Sequence, residues 1–88
     1  MNTYHLTIAS PDGNQFQGEV IGLFVRGAEG DLAILAGHMP FITSVQAGKC
    51  RLHLPDDEEK VATLDGGLLT VSDKGVTLLS GSFRWDEE

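Results

Sequence analysis

Apolar and polar residues alternate along most of this chain. Residues 3–9 place Tyr4, Leu6 and Ile8 on one side and polar residues on the other, and residues 49–54 alternate without exception. A period of two residues is typical of a half-buried β-strand, whereas an amphipathic helix repeats its apolar positions every three to four residues. No segment of the sequence has a convincing helical period. The pattern therefore predicts an all-β protein.

Turn-forming residues separate the alternating segments at intervals of roughly ten residues. The clearest groups lie at 10–14, 27–30, 55–59 and 73–75, and Asp65-Gly66-Gly67 is typical of a tight hairpin turn. No stretch between turns is long enough for a crossover helix, so parallel pairing is not expected. The sequence predicts a flattened antiparallel β-sandwich of about ten short strands, with no C-terminal helical domain.

Two segments are expected to be more deeply buried than the others. Residues 19–26 carry apolar side chains on both faces and are interpreted as one strand, and the four apolar residues at 32–35 are interpreted as a short buried strand. Pro40 favours an extended conformation at Met39, so this second strand should end at a rigid turn. The expected core consists of Leu6, Ile8, Leu23, Val25, Ile34, Cys50, Leu52, Leu64, Leu69, Val71 and Leu78.

The charge balance limits the classes of partner. The chain has 88 residues, enough for one small domain, and its thirteen acids and six bases give a net charge of −7. Nucleic acids and anionic membrane surfaces require a positive footprint, so neither is expected as a direct partner. The N-terminus lacks the features of a signal peptide, and no apolar run approaches the ~20 residues of a membrane helix. Direct membrane insertion is not expected.

No catalytic, cofactor-binding or metal-binding motif is recognisable. The one Gly-Lys pair, Gly48-Lys49, is followed by Cys50 and lacks the first glycine of a phosphate-binding loop. The three histidines are scattered and Cys50 is the single cysteine, so neither a zinc site nor an internal disulfide is expected. Cys50 and His53 fall on opposite faces of a strand and make a poor dyad. A small enzyme with a spatially assembled site remains a minor alternative.

The least generic stretch of the chain runs from residue 30 to residue 40. Gly30-Asp31 precedes four apolar residues, and Gly37-His38-Met39-Pro40 follows them. This stretch resembles the epsilon subunit of F-type ATP synthases (delta in mitochondrial naming), whose signature is Gly, an acid, apolar residues and Gly-His-x-Pro. Shorter similarities at 47–48, 65–68 and 76–79 extend the resemblance over residues 3–84. We therefore expect an epsilon-type β-sandwich domain at 1–84 and an acidic tail at 85–88.

The resemblance implies a function and a set of partners. It implies a non-catalytic central-stalk (rotor) subunit that links the gamma subunit to the c-ring and supports coupling of ion translocation to ATP synthesis, with the alpha/beta catalytic head in the same complex. It also implies a peripheral position on the cytoplasmic face of the bacterial plasma membrane. By similarity, Glu29 and Asp31 are placed at the c-ring interface, and Ser10, His38 and Thr43 at the gamma interface.

Each of these residues also has an ordinary structural interpretation. Glu29 and Asp31 suit a solvated loop, Ser10 and Thr43 suit turn and strand chemistry, and a lone histidine beside a proline is often a hydrogen-bonded structural residue. The alternative function is a free-standing β-sandwich adaptor or ligand-binding module. Many bacterial epsilon subunits continue as two inhibitory helices, some with an ATP-binding motif. This sequence ends at Glu88 without that motif, so it is expected neither to bind ATP nor to inhibit hydrolysis, and a short form and a truncated chain both remain possible.

Overall fold

The computed structural model describes residues 2–37 and 39–86. These residues form ten β-strands and no helix. The prediction of an all-β sandwich of about ten short strands is confirmed. In chain order the strands are β1 (Tyr4–Ser10), β2 (Gly13–Val20), β3 (Gly22–Gly27), β4 (Gly30–Leu35), β5 (Phe41–Val45), β6 (Gly48–His53), β7 (Glu59–Leu64), β8 (Gly67–Ser72), β9 (Gly75–Ser80) and β10 (Phe83–Trp85).

The strands form two layers that are joined along one corner. The hydrogen-bonded order is β10-β7-β6-β3-β5-β8-β9-β1-β2, and β4 pairs with β3 beside this path. The first layer comprises β10, β7, β6, β3 and β4, and the second comprises β5, β8, β9, β1 and β2. Between β3 and β5 the register has one residue pair, Gly27 with Val45. The hydrogen-bonded order therefore continues from β3 to β5 through this one pair, and the two layers separate beyond it.

Three long strands bend through this corner from one layer into the other. β5 continues into β6, β7 into β8, and β9 into β10, and in none of these cases do the two consecutive strands pair with each other. Sharp bends of this kind are how strands switch sheets in strongly folded sandwiches. Asp65-Gly66-Gly67 lies at one of them, so the predicted hairpin turn at this motif is wrong. Gly66 has φ 106°, a conformation that bends the strand without reversing it.

The core lies between the inward faces of the two layers. Every residue predicted to be in the core is buried, and four further residues, Val20, Val45, Ala62 and Val76, are buried with them. Side chains from both layers belong to a single apolar cluster. The Cys50 thiol is fully buried in this cluster, and burial raises its pKa to about 12. The thiol is therefore a protonated, apolar component of the core.

Aromatic side chains connect the layers at their other margins. The Tyr4 hydroxyl, on β1, donates a hydrogen bond of 2.7 Å to the carbonyl oxygen of Ile34 on β4. The ring of Trp85, on β10, makes edge contacts with Phe16 on β2 at a centroid distance of 6.3 Å and with Phe83 at 4.9 Å. β2 and β10 are the two ends of the hydrogen-bonded path. The aromatic contacts thus bring the two free edges of the sheet together.

One strand pair runs parallel, contrary to the antiparallel expectation. β1 and β9 pair in parallel over Leu6 with Val76 through Ala9 with Leu79. The sequence-based argument considered crossover helices only between neighbouring segments. Here the 64 residues between Ser10 and Gly75, which form the intervening strands, connect β1 and β9, so no crossover helix is needed. Alternation of apolar residues is the same for either strand direction, and it could not have revealed this pair.

Two strand assignments also differ from the sequence-based ones. The segment 19–26 is not one strand, because β2 ends at Val20 and β3 begins at Gly22 in the other layer. The strand expected to be buried at 32–35 is largely exposed: only Ile34 is buried, and Leu35 is 49% exposed. β4 pairs with β3 alone, so its other edge has no partner strand and is open to solvent. Its apolar run therefore does not indicate burial on both faces.

Candidate functional site

The β3–β4 loop lies at the corner end of the sandwich. Glu29 is exposed in the turn, and Asp31 follows at the start of β4. The Asp31 carboxylate is 3.9 Å from Nε of Arg26, and both side chains are well exposed. Gly30 adopts φ 131°, which favours glycine, and the loop is steadied by a 3.2 Å hydrogen bond from Nε2 of Gln46 to the carbonyl of Ala28. Two acidic side chains thus project from an ordered turn.

Ser10 lies at the same end, on the neighbouring β1–β2 hairpin. Its Oγ accepts a hydrogen bond of 2.9 Å from Nε2 of Gln15 and one of 3.3 Å from the backbone N–H of Asp12. The hydroxyl therefore has a structural role in the hairpin as well as partial exposure. His38 lies outside the described residues. Its neighbours Gly37 and Met39 belong to the β4–β5 connection, at the opposite end from the corner.

Thr43 occupies the middle of β5, and its side chain does not face outward. It is directly opposite Leu69, which is fully buried, so Thr43 shares the inner side of the strand. The Thr43 hydroxyl donates to the carbonyl of Ser44 at 3.4 Å. The outward-facing neighbours are Ile42 and Ser44. The structure thus places Thr43 on the inner side of β5, and the adjacent residues present the accessible side chains.

Sequence analysis missed an uncharged outer surface on the second layer. The registers of β1, β9, β8 and β5 align two cross-strand rows on this surface. Ile42 is 67% exposed, Leu79 48% and Leu68 44%. A signal was present in the sequence, because 68–69 and 78–79 are adjacent apolar pairs, and one member of each pair must face outward. The rows define the hydroxyl-aliphatic face: Thr7, Thr77, Thr70 and Ile42 in one, and Ala9, Leu79, Leu68 and Ser44 in the other.

A shallow notch of about 430 Å³ connects this face to Ser10. Its walls include Ala9, Pro11, Leu68 and Leu79 together with Ser10 itself. The notch is open and mainly apolar, and it lies where the hydroxyl-aliphatic face reaches the corner end. A concave apolar site of this kind suits a large side chain of a protein partner better than a polar substrate.

The described residues offer little for catalysis or metal binding. Within 2–37 and 39–86, no group of three or more His, Cys, Asp or Glu side chains is arranged to hold a metal ion. Two histidines are paired individually with acids, His5 with Glu19 at 3.5 Å and His53 with Asp57 at 3.2 Å, both near the surface. No helix long and apolar enough to cross a bilayer is found among the described residues.

Comparison with known proteins identifies the family. The family described as "ATP synthase, Delta/Epsilon chain, beta-sandwich domain" matches residues 3–86. The ATP synthase epsilon chain of Afipia carboxidovorans is 42% identical over 80 residues, covering 91% of this chain and 58% of the relative. The sodium-ion-specific epsilon chain of Acetobacterium woodii is 36% identical over 86 residues, covering 98% and 65%. The chain thus spans about three-fifths of the length of these curated relatives.

Solved structures show the same fold. A chain of the Euglena gracilis mitochondrial ATP synthase (OSCP/F1/c-ring) has a TM-score of 0.88 at 22% identity, covering 94% of this chain and 53% of that one. A chain of the Tetrahymena thermophila mitochondrial ATP synthase (central stalk/c-ring) has a TM-score of 0.77 at 12% identity, covering 90% and 63%. At these identities the likeness concerns the fold, and the family match rests on the sequence. This chain belongs to the delta/epsilon family of ATP synthase β-sandwich domains.

Proposed function

We propose that this chain is a non-catalytic central-stalk subunit that links the gamma subunit to the c-ring of an F-type ATP synthase. The observation that carries the proposal is the presence of two distinct surfaces, the uncharged hydroxyl-aliphatic face and the acidic β3–β4 loop, on one sandwich. The first suits a large protein interface, and the second suits polar loops of opposite charge. Family membership supports this assignment over a free-standing adaptor or ligand-binding module.

The hydroxyl-aliphatic face is proposed as the gamma-binding surface. In a domain with net charge −7, its eight residues include no acid and no base. Depletion of charge is the feature that distinguishes the core of a protein interface from the rest of the surface. Ile42, Leu68 and Leu79 would supply the apolar centre, and the notch beside Ser10 would receive a partner side chain. Ser10 and Thr43 would then lie at or beside the interface.

The β3–β4 loop is proposed as the c-ring contact. Glu29 and Asp31 are exposed at the corner end, and the loosely held Arg26 leaves Asp31 available to another cation. By the family resemblance, the polar ring loops are expected to carry Arg and Gln, so acidic side chains here would provide charge complementarity. Such complementarity mainly fixes register and the rate of association. We propose a modest but orienting contact at this end.

The corner suits the transmission of torque between these surfaces. β5 leads into β6, β7 into β8 and β9 into β10 across the corner, so short backbone segments link the two layers there. A close-packed core deforms little under load. The domain would therefore act as a stiff wedge between gamma and the ring, with the alpha/beta head in the assembled complex.

The proposed location follows from the proposed complex. An epsilon-type subunit would be peripheral, attached to a membrane-bound ATP synthase through its protein partners. The bacterial epsilon chains among its relatives favour the cytoplasmic face of a bacterial plasma membrane over an organellar membrane.

Replacing Leu68 and Leu79 together with Asp should abolish binding to gamma. Two carboxylates would be buried without partners at the centre of the interface, and losses of about 2 kcal/mol each correspond to roughly a thousandfold weaker binding. Binding is measured by co-purification with tagged gamma and by titrating the protein over gamma immobilised on a sensor surface. Leu35→Asp is the matched control, because Leu35 is equally exposed but lies on the first layer. Retention of gamma by the Leu68/Leu79 variant would contradict the assignment of this face. If the chain were a free-standing adaptor, the wild-type protein itself would not co-purify with gamma.

Replacing Glu29 and Asp31 together with Lys should weaken coupling without unfolding the domain. The reversed charges would repel the basic ring loops, and we expect ATP-driven ion pumping per ATP hydrolysed to fall about two- to fivefold, in line with a loss of about 1 kcal/mol or less. The control is Asp56→Lys with Glu58→Lys, the same charge change in the β6–β7 loop. Circular dichroism verifies folding. Equal pumping by both variants would show that the β3–β4 loop does not contact the ring.

A further inference from the structure

The outer side of the first layer carries most of the positive charge of the molecule. Arg84, Thr63 and Lys49 form a cross-strand row on β10, β7 and β6, and Arg51 lies two residues from Lys49 on the same side. Arg26 on β3 completes the group. These four cations, from a total of six lysines and arginines, define the basic face. It lies on the opposite layer from the hydroxyl-aliphatic face.

A groove of about 690 Å³ opens on the basic face where β3 leaves β6. The β3–β6 register ends at Phe24 with Arg51, and by Gly27 β3 is paired with β5 instead. Phe24, Leu32 and Ala33 contribute apolar atoms to the groove, Arg26, Lys49 and Arg51 contribute positive charge, and Asp31 contributes one carboxylate. The groove therefore combines an apolar surface with three cationic side chains and one acidic side chain, an excess of two positive charges.

The two arginines are held only weakly by acids of the same chain. Arg26 is 3.9 Å from Asp31, and Arg51 is 3.9 Å from Glu59, at the long limit of an ion pair. All four side chains are more than half exposed. Exposed pairs of this kind contribute about 0–1 kcal/mol. The guanidinium of Arg51 also lies 4.9 Å from the centre of the Phe24 ring, which orients it over the apolar surface.

Lys49 differs from the arginines because it is already bonded. Its Nζ donates to the carboxylate of Asp86 and, at 3.0 Å, to Oγ1 of Thr63. Thr63 donates to the same carboxylate at 2.8 Å, and these hydrogen bonds lower the pKa of Asp86. The cluster fixes the end of β10 beside the groove. The guanidinium groups of Arg26 and Arg51 are therefore the cations available to a ligand.

We infer that this groove binds an acidic segment of a partner protein, in which carboxylates alternate with aliphatic or aromatic side chains. Arg guanidinium groups pair with carboxylates in a planar, two-bond geometry, and the Phe24–Leu32–Ala33 surface would receive the apolar side chains of the segment. A phospholipid surface fits less well, because a flat anionic bilayer would also meet the acidic side chains of Asp31, Glu59 and Asp86 around the groove, whereas a narrow segment contacts the groove alone. This inference does not depend on the proposed gamma contact, which lies on the other layer, although the groove wall includes Asp31 of the proposed c-ring contact.

The test uses the full chain and two labelled peptides. The probe is a fluorescein-labelled peptide of about twelve residues in which pairs of Glu alternate with Leu, and the control peptide has Gln in place of Glu. We expect the acidic peptide to bind with a dissociation constant of about 100 μM or tighter by fluorescence anisotropy, and to bind more weakly as salt is added. The Gln peptide should bind at least about tenfold more weakly.

Variants assign the binding to the groove. Arg26→Gln with Arg51→Gln should weaken binding of the acidic peptide at least about tenfold. Lys60→Gln with Lys74→Gln removes the same charge outside the groove and should change binding less than about threefold. Equal weakening by the two double variants would show non-specific attraction and overturn the inference. Failure of the acidic peptide to bind wild-type protein at about 1 mM would also overturn it.

Amide chemical shifts of the wild-type protein provide a test that needs no variant. Titration with the acidic peptide should shift the amides of Phe24, Arg26, Ala33, Gly48 and Arg51 and leave those of the hydroxyl-aliphatic face unchanged. Vesicles of mixed phosphatidylcholine and phosphatidylserine should neither sediment the protein nor compete with the peptide. Shifts confined to other surfaces, or salt-sensitive binding to the vesicles through Arg26 and Arg51, would contradict an acidic protein segment as the ligand.

Discussion

Replacing Gly67 with Ala should lower the free energy of unfolding by about 3 kcal/mol or more, the upper range for overpacking a well-packed site. A Cβ at this position would lie 2.0 Å from the carbonyl oxygen of Leu79, whereas C···O contacts in sheets are about 3.3–3.6 Å. The obstructing atom is backbone of the paired strand β9, so no side chain can rotate away. Relief would require β8 and β9 to separate beside the corner, where Ser80 Oγ also donates to the carbonyl of Gly66 at 2.7 Å.

Urea denaturation followed by Trp85 fluorescence measures this effect, with circular dichroism as a second probe. Gly18→Ala is the matched control, because a Cβ there would meet the ring of Phe16 at 3.5 Å, an ordinary contact. We expect the control to change the free energy of unfolding by less than about 1 kcal/mol. Similar stabilities for the two variants would show that the β8–β9 approach is not as close as described.

Replacing Leu52 with Ala should cost about 2–5 kcal/mol. Leu52 is fully buried on β6, directly opposite the fully buried Leu23 on β3. Truncation would remove apolar contacts and leave a cavity in the core beneath β6. The strands paired with β6 on both sides hold it in place, so the cavity cannot close. The expected loss is a large fraction of the total stability of a domain of this size.

Leu79→Ala is the comparison that isolates burial. Leu79 is 48% exposed on the hydroxyl-aliphatic face, so the same truncation should cost less than about 1 kcal/mol. Both variants are measured by urea denaturation with unchanged m-values required, so that the comparison refers to one folded state. If the Leu79 variant lost as much stability as the Leu52 variant, the assignment of inner and outer sides in β9 would be wrong.

The strands and the core could be predicted from local pattern because side-chain direction in a strand alternates strictly. Leu6 and Ile8 on β1, and Cys50 and Leu52 on β6, were assigned to the core from this alternation and are fully buried. Val20 was missed because residues 19–26 were interpreted as one strand. The error has a physical cause: a bend between two apolar segments leaves no polar interruption in the sequence.

The candidate surfaces were less accessible to sequence analysis. Glu29 and Asp31 came from the family resemblance, and the structure places Glu29 in the β3–β4 turn and Asp31 on β4 just after it, both exposed. The three apolar side chains of the hydroxyl-aliphatic face come from the β8–β9 hairpin and from β5, and they are adjacent only because β5, β8 and β9 pair in a particular register. The basic face similarly gathers cations from β3, β6 and β10. Neither surface corresponds to a contiguous motif.

The sequence by itself determined the class of fold, the strand positions, most of the core and the family, because these depend on local alternation, turn chemistry and a compact motif. Only the tertiary structure decided which strands pair, that Asp65-Gly66-Gly67 bends a strand between layers instead of reversing it, and that β1 and β9 run parallel. Pairing and direction are set by contacts between residues far apart in the chain. The alternation that identifies a strand is the same whichever strand it pairs with, so it gives no information about pairing or direction.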